Sequence, residues 1–275
     1  MCLGENSKNM PRGRELKILA SLTLLVFIIH ICHVTQFSIF SVLDDEFGYW
    51  GIAAYFAGFN WSDAISEIPY YSYGYSLLLV PLFWLIDDPT LMYKAAIIIN
   101  GIMICGSFWL CYEIAKKLLS NVNKYILMAI SFAIAMYPAY LVYSSIAWAE
   151  CLLIFIFWLL TWCFVELDRE SASYKFFMIG ALSIYIYAIH QRALGILFAS
   201  ILVILIMRLL DKINLTQLLL FFLPIVILSI VHVYIKDVVQ SNLWMDNSGN
   251  LTNDYLSQAG KLTQLMSTDG LISAM

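Results

Sequence analysis

Charge is scarce in this chain. Only 12% of its 275 residues are Asp, Glu, Lys or Arg, where a soluble domain carries about a quarter. The formal net charge is −4 and no basic block is present, which excludes nucleic acid as a partner. The six cysteines form no CxxC pair, and all but Cys2 lie in apolar runs, namely Cys32, Cys105, Cys111, Cys151 and Cys163. They read as small core residues, not as disulfides or metal ligands. P-loop, GxSxG, HExxH and GxGxxG motifs are all missing, and with them the chemistries those motifs serve. The first apolar run follows Arg12, Arg14 and Lys17 and has no small-residue cleavage site. It therefore reads as a retained span, not a removed signal peptide.

Apolar surface is what the chain has in excess. Hydrophobic residues make up 62% of it, against about half in a soluble domain. One water-soluble core cannot hide that much, so the composition predicts a multi-span, all-α membrane protein. Apolar runs fall at about 16–40, 90–112, 124–142, 148–166, 174–189, 193–210 and 214–236. Residues 73–86 are apolar but short and are interrupted by Pro81. Phe47 to Phe59 is short, apolar and aromatic, which suits a helix lying in the membrane interface.

Lys and Arg set the expected topology. If 73–86 does not cross, Lys8, Arg12, Arg14, Lys17, Lys116, Lys117, Lys124, Arg169, Lys175, Arg208 and Lys212 share one side. Only Lys94, Arg192, Lys236 and Lys261 fall on the other, a split of 11 to 4; a crossing at 73–86 makes it 8 to 7. The positive-inside rule prefers the first arrangement. It gives a cytoplasmic tail at 1–15 and about seven transmembrane helices within 16–236. Juxtamembrane helices then lie in a first outer loop at 41–89, and a polar extracytoplasmic tail at 237–275 reads as the start of a truncated loop.

Candidate chemistry gathers on the expected outer face. Asp44, Asp45 and Glu46 follow the first run directly. Three carboxylates at the mouth of a span need water or a bound cation, or else they cap the next helix. Glu150 reads either as a second carboxylate near a divalent cation or as a helix cap. Arg192 lies between two apolar runs on the side where basic residues are rare. Its planar guanidinium suits a phosphate or diphosphate, with snorkelling to headgroups as the alternative. His190 is a metal ligand or a hydrogen-bonded interface residue. Lys94 reaches a lipid phosphate or snorkels at a span end. Tyr70, Tyr71, Tyr73 and Tyr75 stack on a sugar or belong to the aromatic belt. Asn100 reads as a helix-contact position.

The order of these elements also carries a resemblance. Asp45-Glu46-Phe47-Gly48-Tyr49 after the first run looks like an Asp-Glu…Tyr motif. Tyr73 to Leu82 is similar to a Gly/Pro-Leu-Leu juxtamembrane segment, and Tyr137-Pro138 through Ser144-Ser145 to Glu150 to a Pro…Tyr-Ser…acid turn. Together they resemble the GT-C membrane glycosyltransferases that use polyprenyl-phosphate-linked sugars, nearest to the protein O-mannosyltransferase and aminoarabinose-transferase group. Two features depart from that group. Ser72 and Tyr73 stand where some of its members carry a basic residue, and whole members continue with further spans.

The resemblance implies a GT-C-like bundle in a bacterial cell membrane. Its expected activity moves a sugar from a polyprenyl-phosphate donor to a lipid, glycan or protein hydroxyl at the outer face. It implies Asp45 as the base, with Glu46 in support and Asp44 orienting the acceptor or helping to hold the cation. Tyr49, Tyr73, Lys94, His190 and Arg192 are the expected substrate-binding residues. A transporter or flippase for a lipid-linked sugar, or a non-catalytic membrane fragment, are the competing readings. A transporter should place ionisable groups at mid-membrane between inverted repeats, and the sequence shows neither pattern.

Overall fold

A computed structural model describes residues 11–36, 44–62, 71–167 and 172–243. Among these residues the regular elements are all helical. Ten α-helices run in order: α1 Arg12–Ile31, α2 Asp44–Ala57, α3 Ser76–Leu85, α4 Pro89–Leu118, α5 Lys124–Ala135, α6 Pro138–Ser144, α7 Ala149–Val165, α8 Ser173–Ile189, α9 Leu194–Leu209 and α10 Leu215–Leu243. The expected tails at 1–10 and 244–275 lie outside the described residues. Residues 237–243, expected in the polar tail, continue α10.

Among the described residues three helices, Pro89–Leu118, Gln191–Leu209 (including the short turn before α9) and Leu215–Leu243, are long and apolar enough to cross a membrane. The protein is thus an all-α membrane protein. Lipid explains the outward faces of α9 and α10. Phe198, Leu202, Leu205 and Leu209 on α9, and Leu219, Leu223, Val226, Ile230 and Val233 on α10, are exposed. Their helical spacing makes an apolar stripe that hydrocarbon tolerates and water does not.

The ends of the elements follow from local chemistry. Asp88 caps α4 by accepting from Leu91 N–H at 2.8 Å, Pro89 takes the first turn, and Lys116 and Lys117 sit at the negative end of the helix dipole. Asn123 caps α5 in the same way. The run expected to be continuous over 124–142 is broken. Pro138 has no N–H to give and disfavours helix at Tyr137, so α5 and α6 meet at a 55° bend. His30 of α1 bridges that break. Its Nε2 donates to Ala135 O at 3.0 Å, and its Nδ1 lies 2.6 Å from Ser144 Oγ. The 73–86 stretch yields only the ten residues of α3, which packs on α2.

Two packed bodies share α7. In the first, α4 lies among α1, α3, α5 and α7; in the second, α8 lies among α7, α9 and α10. The α8–α10 contact depends on Gly180. A Cβ there would lie 2.1 Å from Phe221 O and 2.8 Å from Pro224 Cγ, so the two backbones touch where other residues would hold them apart.

One end of the bundle is held by ions. Glu15, buried at the start of α1, accepts from Tyr112 Oη at 2.9 Å, from Lys116 Nζ at 3.2 Å and from Lys124 Nζ at 2.5 Å. That joins α1 to the end of α4 and the start of α5. Beside it, Lys117 pairs with Glu166 at 2.7 Å. Burial alone would raise the Glu15 pKa, but hydrogen bonds from Lys124, Tyr112 and Lys116 outweigh it and hold the carboxyl below the usual glutamate range. A depressed folded-state pKa contributes stability above the unfolded value, about 4.3, and that contribution is lost as pH falls through the folded value. Glu15→Gln should therefore lower the unfolding free energy in detergent at neutral pH by about 1–3 kcal/mol. The deficit against the parent should shrink as the pH drops below about 4. Thermal unfolding of both proteins across that range checks it.

Candidate active site

The site is built from the first turn of α2. Neighbours on a helix point about 100° apart, so successive carboxylates meet different surroundings. Asp45 is exposed, while Glu46 is fully buried. The side chain of Asp44 lies outside the described residues.

Glu46 reaches into the bundle. Its Oε1 accepts from Tyr93 Oη at 2.8 Å and from Ala147 N–H at 2.6 Å. The other side of that same peptide unit, Ile146 O, accepts from Asn100 Nδ2 at 2.7 Å. Asn100 in turn accepts from Tyr75 Oη at 3.1 Å. One peptide in the α6–α7 turn is thus gripped at both ends, by α2 and by α4. Asn100, expected as a helix-contact position, is one of the grips. Glu150 follows three residues later, in the first turn of α7.

The opposite wall comes from the end of α8. Gly74 N–H donates to Ala188 O at 2.8 Å, and Tyr185 Oη donates to Gly74 O at 3.0 Å. This ties the 71–75 segment to α8 just before His190. His190 is extended (φ −151°, ψ 124°), and its Nδ1 accepts from Arg192 N–H at 3.1 Å. An accepting Nδ1 places the proton of the neutral ring on Nε2. The short turn Gln191–Ala193 then presents the exposed Arg192. Among the described residues its guanidinium has no hydrogen bond or ion pair.

These walls converge. Glu150 lies in the fields of both Asp45 and Arg192. Burial, the largest effect, and Arg192 hold the His190 imidazole below its usual pKa against the opposing pull of Asp45, so the ring is neutral at pH 7. Burial, then Glu150, Asp45 and Tyr71, push the Tyr49 phenol well above its usual range, so it stays a proton donor. Asp45, Tyr49, Glu150, His190 and Arg192 therefore share one end of the bundle although they span nearly 150 positions of chain.

Other expected residues stand apart. Tyr73 is buried against α10, its hydroxyl 3.3 Å from His232 Nδ1 and the two rings 5.4 Å apart. Lys94 follows Tyr93 on α4 and has no hydrogen bond or ion pair among the described residues. No three His, Cys, Asp or Glu side chains among the described residues form a group that could hold a metal ion. A cation held by Asp44 and Glu150 would need the Asp44 side chain. Tyr71, read from sequence only as one of four loop tyrosines, is the residue whose hydroxyl donates to Asp45 Oδ1.

No protein-family model matches the chain, and no curated protein matches it.

Removing the buried carboxylate should expose how much depends on it. Glu46→Ala removes that acceptor from Tyr93 Oη and strands the buried Ala147 N–H, at about 1–3 kcal/mol for the amide. The unfolding midpoint should fall, and amide exchange at Ala147 should quicken far more than at residues of α9. Unchanged exchange at Ala147 would show that the peptide is held by other means.

Proposed function

We propose that this protein is a glycosyltransferase that moves a sugar from a polyprenyl-phosphate carrier to an acceptor hydroxyl at the outer face of the membrane. The observation that carries the reading is the convergence of an exposed carboxylate, Asp45, with the guanidinium of Arg192, which has no ion pair among the described residues. Transfer from a phosphate-linked donor needs a base for the acceptor and a positive group for the leaving phosphate. In the proposed step the acceptor oxygen attacks the anomeric carbon and its proton passes to Asp45. The bond from that carbon to the phosphate oxygen breaks. The phosphate leaves on its lipid, its charge met by Arg192 and the Nε2–H of His190, with Lys94 as a further cation at that end of α4. Glu46, expected beside Asp45 in the chemistry, acts through the scaffold.

The same reading takes α1, α4, the α5–α6 pair, α7, α8, α9 and α10 as seven crossings, with α2 and α3 lying in the outer interface. The Glu15, Lys116 and Lys124 cluster and the Lys117–Glu166 pair lie at the opposite end from Asp45 and Arg192. This supports an inner and an outer face. In a cysteine-free background, a membrane-impermeant maleimide applied from outside should label Gln191→Cys and not Ser120→Cys. Labelling of both, or of Ser120→Cys alone, contradicts the topology.

Two substitutions test the chemistry. Arg192→Lys keeps the charge and loses the fork, so binding of a synthetic polyprenyl phosphate should weaken, and Arg192→Ala should weaken it further, by about tenfold or more. Equal binding by Arg192→Ala and the parent contradicts the assignment. Asp45→Asn should bind the same lipid normally. It should also slow sugar release from a panel of polyprenyl-phosphate-linked hexoses and pentoses by about 10²–10⁴.

A further inference from the structure

We propose that Tyr71 is the positioning residue for Asp45, seated by Gly48; the role rests on the reading of Asp45 as the base. The Tyr71 hydroxyl donates to Asp45 Oδ1. Among the described residues Asp45 Oδ2 has no hydrogen bond, so the contact turns one carboxylate oxygen inward and leaves the other for an acceptor hydroxyl.

The ring can reach only because of a glycine. Asp45 and Gly48 are three apart on α2 and share a face. A Cβ at Gly48 would lie 2.1 Å from Tyr71 Cδ2 and 2.8 Å from Tyr71 Cε2. The phenol therefore lies directly on the α2 backbone, on its way to the carboxylate one turn earlier. The same ring also meets the Tyr49 ring, with centroids 5.4 Å apart.

The far end of this arm is also anchored. Three residues on, Gly74 is bonded to Ala188 and Tyr185 of α8. Tyr71 thus couples the carboxylate on α2 to the α8 terminus that presents His190 and Arg192. Movement of that terminus would reach Asp45 through this segment.

The test uses the full chain in detergent with meta-fluorotyrosine at position 71 and fluorine NMR. Asp45→Asn and Gly48→Ala should each move the resonance, the first by altering the hydrogen-bond acceptor and the second by displacing the ring. Asp44→Asn should leave it in place. In the sugar-release assay Tyr71→Phe should cost about tenfold in kcat, the loss of a hydrogen bond to a charged group, with KM unchanged. Combined with Asp45→Asn it should add nothing. A resonance indifferent to Asp45→Asn overturns the contact and leaves the base reading standing. A resonance that moves as expected, with sugar release unaffected by Asp45→Asn, overturns the base reading and with it the positioning role. Additive losses in the double variant overturn the coupling between the two residues.

Discussion

One buried peptide bond, between Ile146 and Ala147, constrains most of what surrounds it. Its carbonyl is met by Asn100 and its amide by Glu46. The carbonyl also accepts from Trp148 N–H at 2.8 Å, so the amide, at about 1–3 kcal/mol if stranded, is the group that needs its side-chain partner. That condition sets the rotation of α2, because Glu46 must point inward. It therefore leaves Asp45, 100° round the helix, facing out. It also seats Tyr93 of α4, and through Asn100 it seats Tyr75 at the entrance to α3. The exposed carboxylate of the site is a consequence of the buried one.

The membrane adds a second constraint. A spanning segment must satisfy its backbone internally, so it is helical, and its charges collect at the ends. Here the two ends have been used differently. At one, Glu15 and Glu113 together neutralise Lys116 and Lys124, and the Glu15 carboxylate is consumed in holding three helices. At the other, Arg192 has no carboxylate within ion-pairing distance among the described residues, and Glu150 lies in the fields of both Asp45 and Arg192. Paired charges there would add rigidity.

Much of the architecture was legible because it follows from composition and periodicity. The apolar runs mark helices and the aromatic stretch from Phe47 marks α2, whereas Pro138 breaks a run that reads as continuous over 124–142. The convergence of Asp45, Glu150, His190 and Arg192 was anticipated only as a shared face. What could not be read was rotation. Nothing in Asp44-Asp45-Glu46 says which carboxylate turns inward until the partners on α4 and the α6–α7 turn are placed. For the same reason nothing in the sequence separates Tyr73 from Tyr71, although one meets α10 and the other Asp45. Lys116 and Lys124 read from sequence as topology signals, and their common partner Glu15 lies about a hundred positions away. The fit of Tyr71 on Gly48 depends on a missing side chain, which a sequence records only as a small residue.

The central claim is that the end of the bundle between α2 and the α8 terminus receives a lipid-borne phosphate. An electron-density or cryo-EM map of the full chain in lipid nanodiscs with a polyprenyl phosphate tests it most directly. Phosphate density is expected within hydrogen-bond reach of the Arg192 guanidinium, on the side facing Asp45, with the lipid chain running down between helices. Phosphate density at the Arg208–Lys212 end, or a map with bound lipid and none beside Arg192, would contradict it.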